Sequence, residues 1–119
     1  MIVADASTWI DHWKLADLNF MRLLMAKQVM MHPFVLGELA LGSLRDRQRT
    51  IANLRDLMAI RPASHDEVLY LIETRRLFSR GIGYVDVHLL AAVLLHGNCK
   101  LLTRDRRLRE AAEQLGIAA

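Results

Sequence analysis

The sequence predicts an α/β protein built on a parallel sheet, and three observations lead there. Short apolar runs that read as strands, at Ile2 to Ala4, Val29 to Met31 and Lys100 to Thr103, alternate with longer stretches of helical periodicity. Parallel strands need a crossover between them, and a helix is its usual form. With 119 residues, 53% of them apolar, the chain supplies one core and leaves no room for a second, so a single domain over residues 1–119 is expected.

The elements follow in order. Ile2 to Ala4 ends at Asp5, and Ser7 and Thr8 are candidate N-caps of a helix carrying Trp9, Ile10 and Trp13. Leu15 to Lys27 repeats apolar residues at Leu15, Leu18, Met21, Leu24 and Met25, a helical spacing, before the strand at Val29 to Met31. Pro33 suits the first turn of the next helix, in which Phe34, Val35, Leu36, Leu39 and Leu41 surround Glu38 until Gly42 stops it. Leu44 to Met58 places Ile51, Leu54, Leu57 and Met58 on one face and Arg45, Arg47, Arg49 and Arg55 elsewhere, as in an exposed amphipathic helix. Ser64 or Asp66 caps a helix through Phe78, and Gly81 and Gly83 break it. Asp86 opens an apolar helix through His96, the Lys100 to Thr103 strand leads to Asp105, and a last helix carries Leu108, Ala111, Ala112 and Leu115. Met21, Met25, Met30, Met31, Phe20 and Phe34 are expected chiefly in the core, with a partner interface as the alternative, and Trp9 and Trp13 are expected on one face.

Several classes are excluded. Cys99 is the only cysteine, which rules out an internal disulfide and suits a buried small hydrophobe in a reducing compartment. The N-terminus lacks a basic region and meets Asp5 at once, unlike a secretory signal, and the longest aliphatic run, Leu89 to Leu95, is far short of the roughly 20 residues of a membrane helix. A cytoplasmic protein is therefore expected, with no membrane association. The histidines are scattered: His88 and His96 stand eight apart on one helix with no further ligand motif, and no Ser/His/Asp arrangement emerges. Gly81-Ile82-Gly83 lacks the third glycine of a dinucleotide fingerprint. The net charge of +3, with 13 of 16 basic residues Arg, suits nucleic acid or an acidic partner and equally suits a solvated surface.

The chemistry rests on acids where the pattern does not want them. Asp5 ends the first strand, Glu38 interrupts an apolar helix, Asp86 opens another, and Asp105 follows the last strand. Ligands in α/β folds bind beyond the carboxyl ends of strands, and a carboxylate withdrawn from water needs a hydrogen bond, a partner or a metal. Together the four suggest an acidic pocket for Mg²⁺ or Mn²⁺, suited to phosphodiester hydrolysis. Singly, Asp5, Asp86 and Asp105 also read as helix caps. Arg104, Arg106 and Arg107, with Arg109, flank Asp105 and are candidates for RNA phosphate contacts, or for a solvated helix face.

The segment from Ile2 to Ile10, IVADASTWI, resembles the opening of PIN-domain proteins of the VapC toxin type, in which a strand ends in a metal-binding Asp followed by Ser or Thr and an aromatic helix. VLGELALG around Glu38 is similar to the family's second motif, DVHLLAA from Asp86 to its third, and LLTRD ending at Asp105 to its fourth. The chain is a little short for the family, and Trp13-Lys14-Leu15 passes into the second helix with little of the loop often found there. The resemblance implies a three-layer α/β/α domain with a mainly parallel sheet of four to five strands. It implies a Mg²⁺- or Mn²⁺-dependent endoribonuclease, commonly a homodimer, held inactive by a cognate antitoxin protein. Carried over by position, Asp5, Glu38, Asp86 and Asp105 form the catalytic and metal-binding quartet, and Ser7 and Thr103 are supporting polar residues. The alternative is a non-catalytic module of the same fold that binds RNA or protein.

Overall fold

Ile2, Val3 and Ala4 are apolar toward both faces, the pattern of a strand covered on both sides. A computed structural model describes residues 1–119, and this run is β1 (Ile2–Ala4), buried throughout. Beside it β2 (Val29–Met31), also fully buried, pairs in parallel with Ile2 next to Val29 and Val3 next to Met30. β3 (Met58–Ala59) lies outside β2 as an exposed edge, and β4 (Lys100–Leu102) lies on the other side of β1. The order is β3-β2-β1-β4, all parallel. A parallel bridge from Leu101 to Ala118 begins a fifth strand at the C-terminal tail, as the expected sheet of four to five strands allows.

Between β1 and β2 run α1 (Ala6–Lys14) and α2 (Leu18–Met25); between β2 and β3, α3 (Pro33–Ala40) and α4 (Arg47–Arg55). α5 (His65–Thr74) and α6 (Tyr84–His96) connect β3 to β4, and α7 (Arg106–Gln114) follows. The path steps from β1 outward to β3, then returns across the sheet to β4. Because parallel crossovers are right-handed, this reversal sends α1 to α4 to one face and α5 and α6 to the other, the three-layer α/β/α architecture. α1 packs on α3, α5 on α6, and α6 on β4 accordingly. One apolar cluster joins the layers, from Val3 and Leu101 in the sheet to Leu39 of α3, Leu90 of α6 and Leu108 of α7. No helix is long and apolar enough to cross a membrane.

Local physics moves several boundaries. Asp5, not Ser7 or Thr8, caps α1: its side chain accepts the Thr8 N–H, which leaves Ser7 and Thr8 inside the first turn. The expected helix over Leu15 to Lys27 shortens to α2, capped by Asp17, and its rotation is set by Phe20, which is buried edge-on against Trp9 at 4.9 Å. Leu15, Leu18, Met21 and Met25 consequently face outward, as does Phe34, whereas Phe20, Met30 and Met31 are core. Trp9 is buried and Trp13 half-exposed, their rings 5.9 Å apart. The Leu44 to Met58 pattern holds only over α4, because Met58 leaves the helix to pair with Met30 as β3. α5 starts at the Ser64 cap, reinforced by Glu67, and ends at Thr74, short of Phe78, where Arg76 takes a left-handed φ of 53°. α6 opens at Tyr84, two residues before Asp86, and closes at Gly97, whose φ of 82° suits a helix-terminating glycine.

Candidate active site

The order of the sheet reverses between β1 and β4, and the crevice beyond the carboxyl ends of two such strands is where α/β folds bind ligands. Asp5 stands at the end of β1, buried at 6% exposure. Its Oδ1 accepts from the Thr8 N–H (3.0 Å), the Thr8 hydroxyl (2.6 Å) and the Ser7 hydroxyl (3.2 Å), and its Oδ2 from the Thr103 hydroxyl (2.5 Å). Donors from α1 and from the end of β4 thus fix both oxygens. The helix cap and the candidate site are the same atoms.

Thr103, buried just past β4, couples two acids: while donating to Asp5, its Oγ1 accepts the Asp105 N–H at 3.1 Å. Asp105 caps α7 through the Leu108 N–H at 3.0 Å. Asp86 sits in the first turn of α6, reaching back weakly to the Gly83 N–H at 3.4 Å. Burial, with the charges of Asp5 and Asp105, raises its proton affinity above the ordinary carboxylate value against that hydrogen bond. Glu38 is exposed, contrary to what its apolar neighbours suggest, because α3 buries Val35 and Leu39 and leaves Glu38 facing outward. It too is raised, by partial burial and then by Asp86 and Asp5. Asp86 therefore lies within electrostatic reach of Asp5, Asp105 and Glu38, and Glu38 within reach of Asp5. None is ion-paired; the salt bridges of the molecule involve Asp46, Asp11, Asp17 and Glu110.

The arginines separate. Arg104 is held by Asp17 (2.8 Å) and Asp11 (3.4 Å), and Arg106 by Glu110 (3.2 Å), while Arg109 donates to the Thr103 carbonyl. Arg107 has no acidic partner and lies against Gly81, in the loop leading to Asp86, so closely that a Cβ at that positive-φ position would collide with its guanidinium. Glu38 also lines a cleft of about 620 Å³ with Ile10, Trp13, Leu44 and Arg45.

Reading from sequence takes Thr8 only as a candidate cap, whereas its hydroxyl makes a short bond to Asp5. It passes over His32, which caps α3 by accepting the Phe34 N–H at 3.0 Å. His88 is buried and His96 exposed, and no group of three His, Cys, Asp or Glu side chains is placed to hold a metal ion. Cys99 is buried and free, as expected, and burial pushes its thiol up.

A family model described as PIN domain matches residues 2–114. Ribonuclease VapC32 of Mycobacterium tuberculosis, in strains CDC 1551 / Oshkosh and ATCC 25618 / H37Rv, is 43% identical over 118 residues, covering 99% of this chain and 95% of the relative. With its parallel sheet, its chain reversal and the acids gathered beside it, the chain belongs to the PIN domain family.

Proposed function

We propose that the protein is an endoribonuclease, the toxin of a toxin-antitoxin pair, which hydrolyses RNA phosphodiester bonds with Mg²⁺ or Mn²⁺. The observation that carries this reading is the meeting of Asp5, Glu38, Asp86 and Asp105 without any Lys or Arg ion-paired among them. Carboxylates gathered without a basic partner call for a cation, and an all-oxygen donor set suits a hard one. These four residues would hold it, with water completing the shell, since Mg²⁺ keeps several waters beside one or two carboxylates. Bound there, such an ion supplies hydroxide at neutral pH and offsets the charge that builds on the phosphoryl oxygens.

The chain's own residues do the positioning. Ser7, Thr8 and Thr103 orient Asp5, and Thr103 ties Asp105 to the same frame, so two carboxylates are in place before substrate arrives. Arg107, free of acidic partners beside the loop before Asp86, is the arginine suited to an RNA phosphate. Arg104 and Arg106 are paired with acids at the surface. The same reading includes an antitoxin protein and a homodimer, and the outward Leu15, Leu18, Met21 and Met25 are apolar surface for a protein partner to cover.

Purified protein incubated with a mixed RNA pool, with Mg²⁺ or Mn²⁺ and again with EDTA, tests the reading. Cleavage that needs metal and vanishes in Asp5→Asn is the expected result. RNA binding without turnover, from folded and antitoxin-free protein, would replace the enzyme with a binding module.

A further inference from the structure

A row of aromatic rings runs along the helices that carry Glu38 and Asp86. His32 meets Phe34 at 5.2 Å between centroids, Phe34 meets His88 at 4.7 Å, His88 meets Tyr84 at 4.6 Å, and Tyr84 meets His65 at 5.8 Å. The row passes from α3 to α6 and on to the start of α5, and α3 and α6 are the helices that carry Glu38 and Asp86. Phe34 stands one turn before Glu38, where residues share a face, and Tyr84 and Asp86 both lie in the first turn of α6.

The inner and outer rings differ. His32 and His88 are buried, whereas Phe34 and Tyr84 are 39% and 47% exposed. His32 Nε2 and both nitrogens of His88 lack hydrogen-bond partners, a cost that an aliphatic side chain of similar size would not carry. What the His88 ring provides is a flat seat that meets both neighbours at steep angles, 61° for Phe34 and 83° for Tyr84. At those angles His88 covers neither ring face to face. The Tyr84 hydroxyl is further fixed by a hydrogen bond with His65 Nδ1.

We propose that Phe34 and Tyr84, seated on His88, stack an unpaired nucleobase next to the phosphodiester that faces the four acids. The proposal rests on the ribonuclease reading above and assigns the side chains that hold a base of its substrate. Near four carboxylates a phosphate is repelled unless a cation intervenes, while a base is the uncharged part of the nucleotide and presents a π face. Stacking on a protein ring requires that the base be out of a duplex. Phe34 and Tyr84 are binding residues, and His88 is a positioning residue.

The test uses an RNA hairpin with an unpaired loop that the parent protein cleaves, and the same hairpin with abasic nucleotides flanking the cleaved bond. Tyr84→Leu and Phe34→Leu each raise KM about tenfold, the scale of one lost base stack, with kcat within about threefold. Tyr84→Phe, which keeps the ring, recovers most of the loss. On the abasic hairpin the Leu variants and the parent converge. Unchanged KM in Leu variants that unfold at the parent's temperature, or an equal penalty on the abasic hairpin, overturns the proposal and leaves the ribonuclease standing. A parent protein that cleaves no RNA with either metal overturns the ribonuclease reading and this assignment with it.

Discussion

Asp5 and His32 occupy matching places on neighbouring strands. The register that sets Ile2 beside Val29 and Val3 beside Met30 continues to set Asp5 beside His32, and each side chain caps the helix that follows by accepting a backbone N–H at 3.0 Å. Both are buried. Asp5 nevertheless has both oxygens engaged, whereas His32 Nε2 has no partner, and burial, with the nearby His88, pushes its proton affinity down to about 4. The difference comes from what lies beside each cap. Asp5 borders β4, whose end delivers Thr103 and Asp105, while His32 lies on the side of β2 and the exposed β3. A strand end with a helix cap is common equipment; the reversal of the sheet selects which one becomes a site.

The largest effect expected is on cleavage. Asp5→Asn should lower the rate about a thousandfold or more, equivalent to roughly 4 kcal/mol of barrier, measured on an RNA that the parent protein cuts. His32→Asn, which keeps a capping acceptor, should change the rate less than tenfold at a temperature where both variants are folded. Equal losses in the two would erase the distinction between the strand ends.

The second test is stability in acid. A buried neutral histidine stabilises the fold fully above its ordinary value of 6.5, because below that value the unfolded chain takes up the proton first, and the contribution is lost as pH falls toward about 4. Over that interval His32 should account for on the order of 3 kcal/mol. Urea unfolding at steps from pH 7 to pH 4 reads this directly, and His32→Asn should flatten the slope. An unchanged slope would assign the acid sensitivity to another group.

Much of this frame was legible before folding, for physical reasons. Strands buried on both faces announce themselves as apolar runs, so β1 and β2 were readable, as were Asp5 and Asp105 at strand ends. β3 was not, because Leu57 and Met58 continue the helical spacing of α4 and two residues carry no period of their own. The face of α2 was hidden as well: Leu15, Leu18, Met21 and Met25 outnumber Phe20, but one aromatic ring edge-on to Trp9 decides the rotation. Glu38 was found by the apolarity of its neighbours, yet its carboxylate lies on the open side of α3. The row through His88 depends on contacts between distant segments, which spacing along one helix does not encode.

The third test sharpens the contrast within the pocket. Asp86 and Glu38 bind protons more readily in the folded chain than their ordinary values of 3.8 and 4.5. Ionising them therefore lowers stability as pH rises from those values through the raised ones. In EDTA at neutral pH, Asp86→Asn should gain up to about 1 kcal/mol, roughly 3–5 °C in Tm, and Glu38→Gln less because solvent screens it. Asp5→Asn should lose stability, since an amide nitrogen matches the surrounding hydroxyl donors less well. Mg²⁺ should raise the Tm of the parent and do so less for each variant; a loss of Tm in Asp86→Asn without metal would mean that its carboxylate is held by the fold, like that of Asp5.

The smallest effect separates neighbouring arginines. Arg104 sits between Thr103 and Asp105 but points its guanidinium to Asp17 and Asp11, all partly exposed. Exposed ion pairs contribute under about 1 kcal/mol and are screened by salt. Arg104→Ala should thus lower stability by no more than that, with KM for RNA little changed. Arg107→Ala should leave stability alone while raising KM and flattening its dependence on salt, because one phosphate contact is lost. If Arg104→Ala instead carries the larger salt-dependent KM change, RNA breaks the Asp17 pair on binding, and the region around β4 extends the binding surface toward α1 rather than toward the loop before Asp86.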